Sequence, residues 1–139
     1  MIWFKPLTLA RLNERCYGTM VEFLSITFTE IGENSLTAIM PVHTRIKQPL
    51  GIVHGGANVV LAETVASTAA NVAVNWETHY CVGLEINANH LRSVREGIIT
   101  AVASPIHLGR STQVWEINLF DDQARKTCVS RMTAAVLTR

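Results

Sequence analysis

Apolar residues follow two different spacings along this chain. Between residues 26 and 42 they alternate: Ile26 and Phe28, then Leu36, Ala38, Met40 and Val42, each beside a more polar neighbour. A period of two puts one set of side chains on one face of a strand. Gly32-Glu33-Asn34 supplies turn chemistry between the two runs, so residues 25–42 read as a hairpin. Strand-like runs return at 80–92, 98–107, 112–121 and 126–138, parted by Ser93-Val94-Arg95-Glu96-Gly97, Leu108-Gly109-Arg110 and Asp121-Asp122-Gln123. Short turns between consecutive strands predict an antiparallel meander.

Between the hairpin and these runs the pattern changes. From Gly55 or Gly56 to about Val74 nearly every position is apolar or small, and Asn75 with Glu77-Thr78-His79 closes the stretch. A helix apolar nearly all round belongs in the middle of a protein, covered on several sides. Upstream, Thr8 is placed to cap a helix over residues 9–17, where Leu9, Leu12 and Cys16 share helical spacing, and residues 19–24 add a shorter turn. Together these elements predict an α+β fold, one antiparallel sheet with a single long helix across its concave face. There is no βαβ repeat, internal repeat or linker, and residues 1–139 read as one domain.

Composition narrows the function classes. Of 139 residues 48% are hydrophobic, enough for one core, and the net charge of +1 does not carry the strongly basic footprint of a nucleic-acid binder. Cys16, Cys81 and Cys128 are odd in number and lack C-x-x-C spacing, so they read as reduced thiols, mostly in the core. Lys5, Pro6, Arg11, Glu14 and Arg15 break any apolar leader, and Asn58, Glu63 and Asn71 interrupt the long helix, so a cytoplasmic protein without a membrane segment is expected. The five histidines, His43, His54, His79, His90 and His107, show no metal-ligand spacing, and no metal is expected. Dinucleotide and nucleoside-triphosphate loop motifs are absent. Trp3, Trp76 and Trp115, scattered over different elements, read as packing residues.

Glu63 is the only formally charged residue between Lys47 and Glu77, and it lies inside the apolar helix. Burying an ionised carboxylate without partners is costly, so such a group is paired, protonated or used in chemistry. Just upstream, His54-Gly55-Gly56 opens the helix. Glycine there presents bare N–H groups at the positive end of the helix dipole, a suitable donor for a developing oxyanion. Glu63 is suited to act as general base toward water or as nucleophile, and Ser67, at i+4 on the same face, to hold a water or an acyl group. Eight helical residues separate Gly55 from Glu63, about 12 Å. Both can serve one carbonyl only if Gly55 comes from one subunit and Glu63 from the antiparallel helix of its neighbour, which predicts at least a dimer.

Basic residues cluster after the strands: His90, Arg92 and Arg95 on one, and Gly109-Arg110-Ser111 at the next turn. Guanidinium groups and turn N–H groups of this kind suit the phosphates of a carrier such as coenzyme A. Plain structural readings compete throughout. The glycines can be a simple helix start, Glu63 a structural ion pair, His54 a cap, and the basic residues a solvated rim.

Taken together, Met40-Pro41-Val42, Gln48-Pro49, His54-Gly55-Gly56, Leu61-Ala62-Glu63-Thr64, Val82 through His90, and His107-Leu108-Gly109-Arg110 carry a resemblance that runs almost end to end. The chain resembles the hotdog-fold acyl-coenzyme A thioesterases related to phenylacetate-pathway, 4-hydroxybenzoyl-CoA and 1,4-dihydroxy-2-naphthoyl-CoA hydrolases. The resemblance implies a long helix wrapped by an antiparallel sheet, sites shared between two protomers, and dimers paired into tetramers. It implies that Glu63 activates water or attacks the thioester, that Gly55 donates its N–H to the thioester oxygen, and that Gln48 and His54 orient the carbonyl. Ser67 then assists the water or acyl group, His90 lies near the thioester, and Arg92, Gly109, Arg110 and Ser111 contact coenzyme A, which is part of the substrate, so that no separate cofactor is expected. Leu50, where such enzymes would carry Phe, and Thr68-Ala69-Ala70-Asn71 depart from the family pattern at positions expected to line the acyl pocket or its surroundings.

Two other functions are weighed. A hotdog hydratase or dehydratase would want a histidine with a nearby aspartate on the helix, where this chain has only Glu63. A non-catalytic acyl-CoA-binding module would keep the basic turns and have no need of Glu63.

Overall fold

The computed structural model describes residues 1–139. Helices α1 (Leu9–Glu14) and α2 (Met20–Phe23) precede strands β1 (Thr27–Ile31) and β2 (Leu36–Pro41). The long helix α3 (Gly55–Ala73) follows, then β3 (His79–His90), β4 (Ile98–Leu108), β5 (Thr112–Phe120) and β6 (Lys126–Thr138). The period of two places Leu36, Ala38 and Met40 of β2, Ile99, Ala101 and Ala103 of β4, and Trp115, Ile117 and Leu119 of β5 in the core. The α3 residues Leu61, Ala62, Val65, Ala66, Ala69 and Ala70 are buried with them. Their spacing makes one helical stripe, and its alanines let the backbone lie close to the sheet. Truncating Leu61 would cost roughly 2–5 kcal/mol.

Thr8 and Thr19 cap α1 and α2 with their side chains. The first helix stops at Glu14, short of the expected residue 17. Cys16 and Tyr17 N–H reach carbonyls three residues back, and Gly18 then turns the chain with φ 72°. Trp115 is fully buried with its indole N–H on Gln113 Oε1 at 2.9 Å, and Trp3 Nε1 donates to Gly32 O at 2.8 Å, both packing roles.

The six strands form one antiparallel sheet in the order β1-β2-β4-β5-β6-β3. This is the hotdog arrangement, but the expected simple meander needs correction. Of the four strands after α3, only β4, β5 and β6 follow one another; β3 lies at the far edge beside β6, and β2 is the neighbour of β4. Helix α3 connects β2 to β3 and carries the chain over the sheet to that edge. A second correction concerns α3 itself. It is covered on its sheet side, while Val59, Val60, Glu63, Thr64, Ser67 and Thr68 are only partly buried.

Register fixes which parts of β3 lie level with which turns. Gly83 is opposite Ala134, which is opposite Gln113 at the β4–β5 turn. His90 is opposite Cys128, which is opposite Leu119, at the other end of the sheet.

Candidate active site

At the start of α3, His54 Nδ1 accepts the Gly56 N–H at 2.8 Å, so the imidazole is the helix N-cap. The His54 backbone N–H donates to Ile46 O at 2.8 Å. Gly55 N–H makes no hydrogen bond within the chain. Of the two glycine donors, the cap therefore occupies one and leaves Gly55 at the positive end of the helix. A Cβ on Gly55 would stand 2.9 Å from His90 Nε2, so glycine is what lets this imidazole close over the helix start. On the far side of the ring, Asn58 Nδ2 lies 3.3 Å from His90 Nδ1.

Gln48 heads a tight turn: its Oε1 accepts from Leu50 N–H at 2.6 Å and its carbonyl from Gly51 N–H at 2.9 Å. Gly51 adopts φ 75°, which favours glycine. Arg95 Nη1 ties the turn down by donating to Leu50 O at 3.1 Å. With its oxygen engaged, the Gln48 amide has its N–H₂ left to give. Gln48, Gly55, Asn58, His90 and Arg92 border one cleft of about 310 Å³.

Glu63 does not line that cleft. It is half-buried rather than fully buried, lying against the edge strand β3 at Gly83. It makes no hydrogen bond or ion pair; the salt bridges of the chain are Lys5 with Glu77 and Asp121 with Arg125. Partial burial alone pushes its carboxyl above the ordinary glutamate range. Ser67, one turn further, lines a second cleft of about 300 Å³ with Leu12, Arg15, Cys16, Phe28 and Thr68. Continuous helix separates Gly55 from Glu63, about 12 Å along the axis.

The Gly109-Arg110-Ser111 segment forms the β4–β5 turn. Gly109 N–H donates to Thr112 O and Ser111 O accepts from Val136 N–H, both at 2.9 Å, while Arg110 and Ser111 N–H are uncommitted. This turn is level with Gly83, and His90 and Arg92 stand at the other end of β3, roughly 20 Å away. Within one chain the site residues thus fall into two groups: Gln48, His54, Gly55, His90 and Arg92 in one, and Glu63, Ser67 and the β4–β5 turn at the other end.

The sequence profile of the thioesterase superfamily matches residues 50–128. The chain belongs to this superfamily. It is 51% identical to the 1,4-dihydroxy-2-naphthoyl-CoA hydrolase of Escherichia coli K12, over 99% of this chain and all of that one. A Vibrio cholerae relative, 55% identical over 97% of this chain and 89% of its own length, has no name more specific than esterase. The crystal structure of a mutant thioesterase from Pseudomonas aeruginosa superimposes with a TM-score of 0.98 at 45% identity, covering both chains completely. The protein is a thioester hydrolase.

For a thioesterase of this fold, three residues outside the expected catalytic and coenzyme A-binding set stand beside it. Asn58 touches His90. Asn71 binds Ser67 O and both backbone groups of Cys81. Gly83 lies against Glu63. A lone glycine inside a strand pattern is the signal that points to the last, since it marks a close approach. Of the positions that depart from the family pattern, Thr68 and Asn71 line the second cleft, whereas Leu50 is 74% exposed at the tip of the Gln48 turn.

Proposed function

We propose that the protein hydrolyses an aromatic acyl-CoA, of the 1,4-dihydroxy-2-naphthoyl-CoA or hydroxybenzoyl-CoA kind, to the free acid and coenzyme A. The observation that carries this reading is the pairing of two unsatisfied groups: the free Gly55 N–H at the start of α3 and the unpaired, partly desolvated Glu63 carboxylate. The N–H, with the Gln48 amide, His54 and His90 around it, stabilises the negative charge that develops on the thioester oxygen. Glu63 takes a proton from water, or attacks the carbonyl itself and is released by water. Either way the C–S bond breaks, a C–O bond to water oxygen forms, and the thiolate leaves with a proton.

The separation of the two groups supports a shared site, with Gly55 from one protomer and Glu63 from its partner in a dimer. The half-covered outer stripe of α3 and the edge position of β3, where Val82 and Leu84 are exposed, favour such an assembly, and pairing of dimers would give a tetramer. An antiparallel arrangement would also bring Arg92 of one protomer toward the Gly109-Arg110-Ser111 turn of the other, where both can hold coenzyme A phosphates. The second cleft, with Leu12 and Phe28 on its walls and Arg15 and Ser67 at its polar points, suits an aromatic acyl group bearing hydroxyls. In this reading residues 1–139 act as one catalytic domain without a bound cofactor, and the enzyme works in the cytoplasm; no helix is long and apolar enough to cross a membrane.

Thiol release from a panel of aromatic and aliphatic acyl-CoAs, by wild type and Glu63→Ala, tests the proposal. Preference for hydroxylated arylacyl substrates, lost in the variant, is the expected result. Binding of acyl-CoA without thiol release would instead support a binding module.

A further inference from the structure

Nothing that bonds to Glu63 holds it in place, so its position depends on shape. The shape is set by Gly83 on β3. A Cβ built on Gly83 would overlap Glu63 Oε1 and stand 3.5 Å from its carboxyl carbon. No other group of the chain comes within 4 Å of that Cβ. Nor does the backbone ask for glycine here, because Gly83 is not among the residues of positive φ, unlike Gly18, Gly51 and Gly97. The strand bulges immediately after it, between Gly83 and Glu85.

A second contact sets the height of Gly83 against the helix. Asn71 Nδ2 donates to Ser67 O and to Cys81 O, each at 3.0 Å, and Asn71 Oδ1 accepts from Cys81 N–H at 2.9 Å. The two bonds to Cys81 join α3, two turns beyond Glu63, to the strand two residues before Gly83, and the bond to Ser67 O steadies the amide on its own helix. The amide thereby clamps strand to helix in one register.

We propose that Gly83 is a positioning residue for Glu63, its missing side chain forming the slot in which the carboxylate lies, with Asn71 holding that slot in register. The inference rests on the reading of Glu63 as the reacting carboxylate. Gly83→Ala is then unusual in what it disturbs. The only atoms that must move are at the tip of a flexible side chain, so the fold tolerates the methyl while the carboxylate is turned out of place. Misplacement by an ångström of a reacting group can lower rates up to about 100-fold.

The test is a double-mutant cycle over Gly83→Ala and Glu63→Asp, with thermal unfolding of every variant and thiol release from a hydroxyaryl-CoA. We expect Gly83→Ala to unfold at or above the wild-type temperature, to lose about 10- to 100-fold in kcat with little change in KM, and to show an acid limb displaced toward that of an exposed glutamate. In the Glu63→Asp background, whose shorter side chain clears the methyl, the same substitution should cost less than about threefold. If wild type is active and Glu63→Ala is dead, yet Gly83→Ala keeps wild-type kcat and acid limb, the positioning role is overturned. An equal loss in both backgrounds overturns it too. Full activity in Glu63→Ala overturns the underlying reading instead, and is read directly from that variant.

Discussion

Asn58 and His90 meet across the start of α3, with Asn58 Nδ2 3.3 Å from His90 Nδ1. Asn58 is only 6% exposed while His90 is exposed, so a buried amide here reaches an imidazole at the surface. With the amide as donor, the imidazole carries its proton on Nε2, the atom that faces Gly55. Two N–H groups, of Gly55 and His90, then lie beside each other at the start of α3. Asn58→Asp would place an acceptor against Nδ1 and draw the proton to that nitrogen. Nitrogen-15 NMR of the ring should report the Nε2–H form in wild type and lose it in the variant, with kcat/KM down by about tenfold or more. A wild-type ring protonated on Nδ1 would contradict the arrangement.

Burial raises the Glu63 carboxyl above its ordinary range. If the ionised form is the reactive one, the acid limb of the rate profile lies above that of an exposed glutamate. The effect on stability has the opposite sense. An acid whose folded pKa exceeds its unfolded one costs stability progressively as pH rises from the unfolded value, and in full above the folded value. Glu63→Gln should therefore melt higher than wild type at neutral pH, and the gap should close as pH falls below the raised pKa. Activity of the same variant should drop by about 100-fold or more.

If the site is shared between protomers as proposed, Gly55→Pro and Glu63→Ala each remove one half of it. Proline is compatible with the first position of a helix, so the substitution deletes a single N–H that α3 does not use. A Cβ at this position also presses on His90, so Gly55→Ala serves as the control for crowding. Unfolding and remixing the two inactive proteins should yield hybrids with one intact site, recovering about a quarter of wild-type activity for a randomly mixed dimer. Verified hybrids with no activity would place both groups in one chain.

The thiol-release assay needs the protein's own cysteines to be silent. Cys81 is buried, and desolvation pushes its thiol up to about 11. Burial raises Cys16 and Cys128 as well. All three should react slowly with a disulfide dye in the native state and fully on denaturation. Rapid reaction of three thiols in the native protein would show that the sheet opens on the assay timescale.

Much of this molecule can be read from residue order, because much of it is local. The α3 start at His54-Gly55-Gly56, the caps at Thr8 and Thr19, and the core alternation in β2, β4, β5 and β6 depend on neighbours a few positions away. The isolation of Glu63 is also visible without coordinates, since a single charge in a long uncharged run is a property of the run. So is its distance from Gly55, which follows from helical rise alone.

Tertiary structure decided what depends on partners distant in the chain. Alternation tells which face a side chain takes but not which strand lies beside it, so the crossing of β3 to the edge beside β6 could not be read from the pattern. Both glycines at the start of α3 look equally free in the sequence; the His54 ring satisfies Gly56 and leaves Gly55. Asn58 and Asn71 read only as interruptions of an apolar helix until β3 brings His90 and Cys81 against them. Gly83 was one glycine in a strand, and its meaning appeared only when the fold laid it on the Glu63 carboxylate, 20 residues away in sequence. The sequence determined which residues have unusual chemistry, through local pattern and spacing; the packing of strand on helix decided which of their atoms are free and what surrounds them.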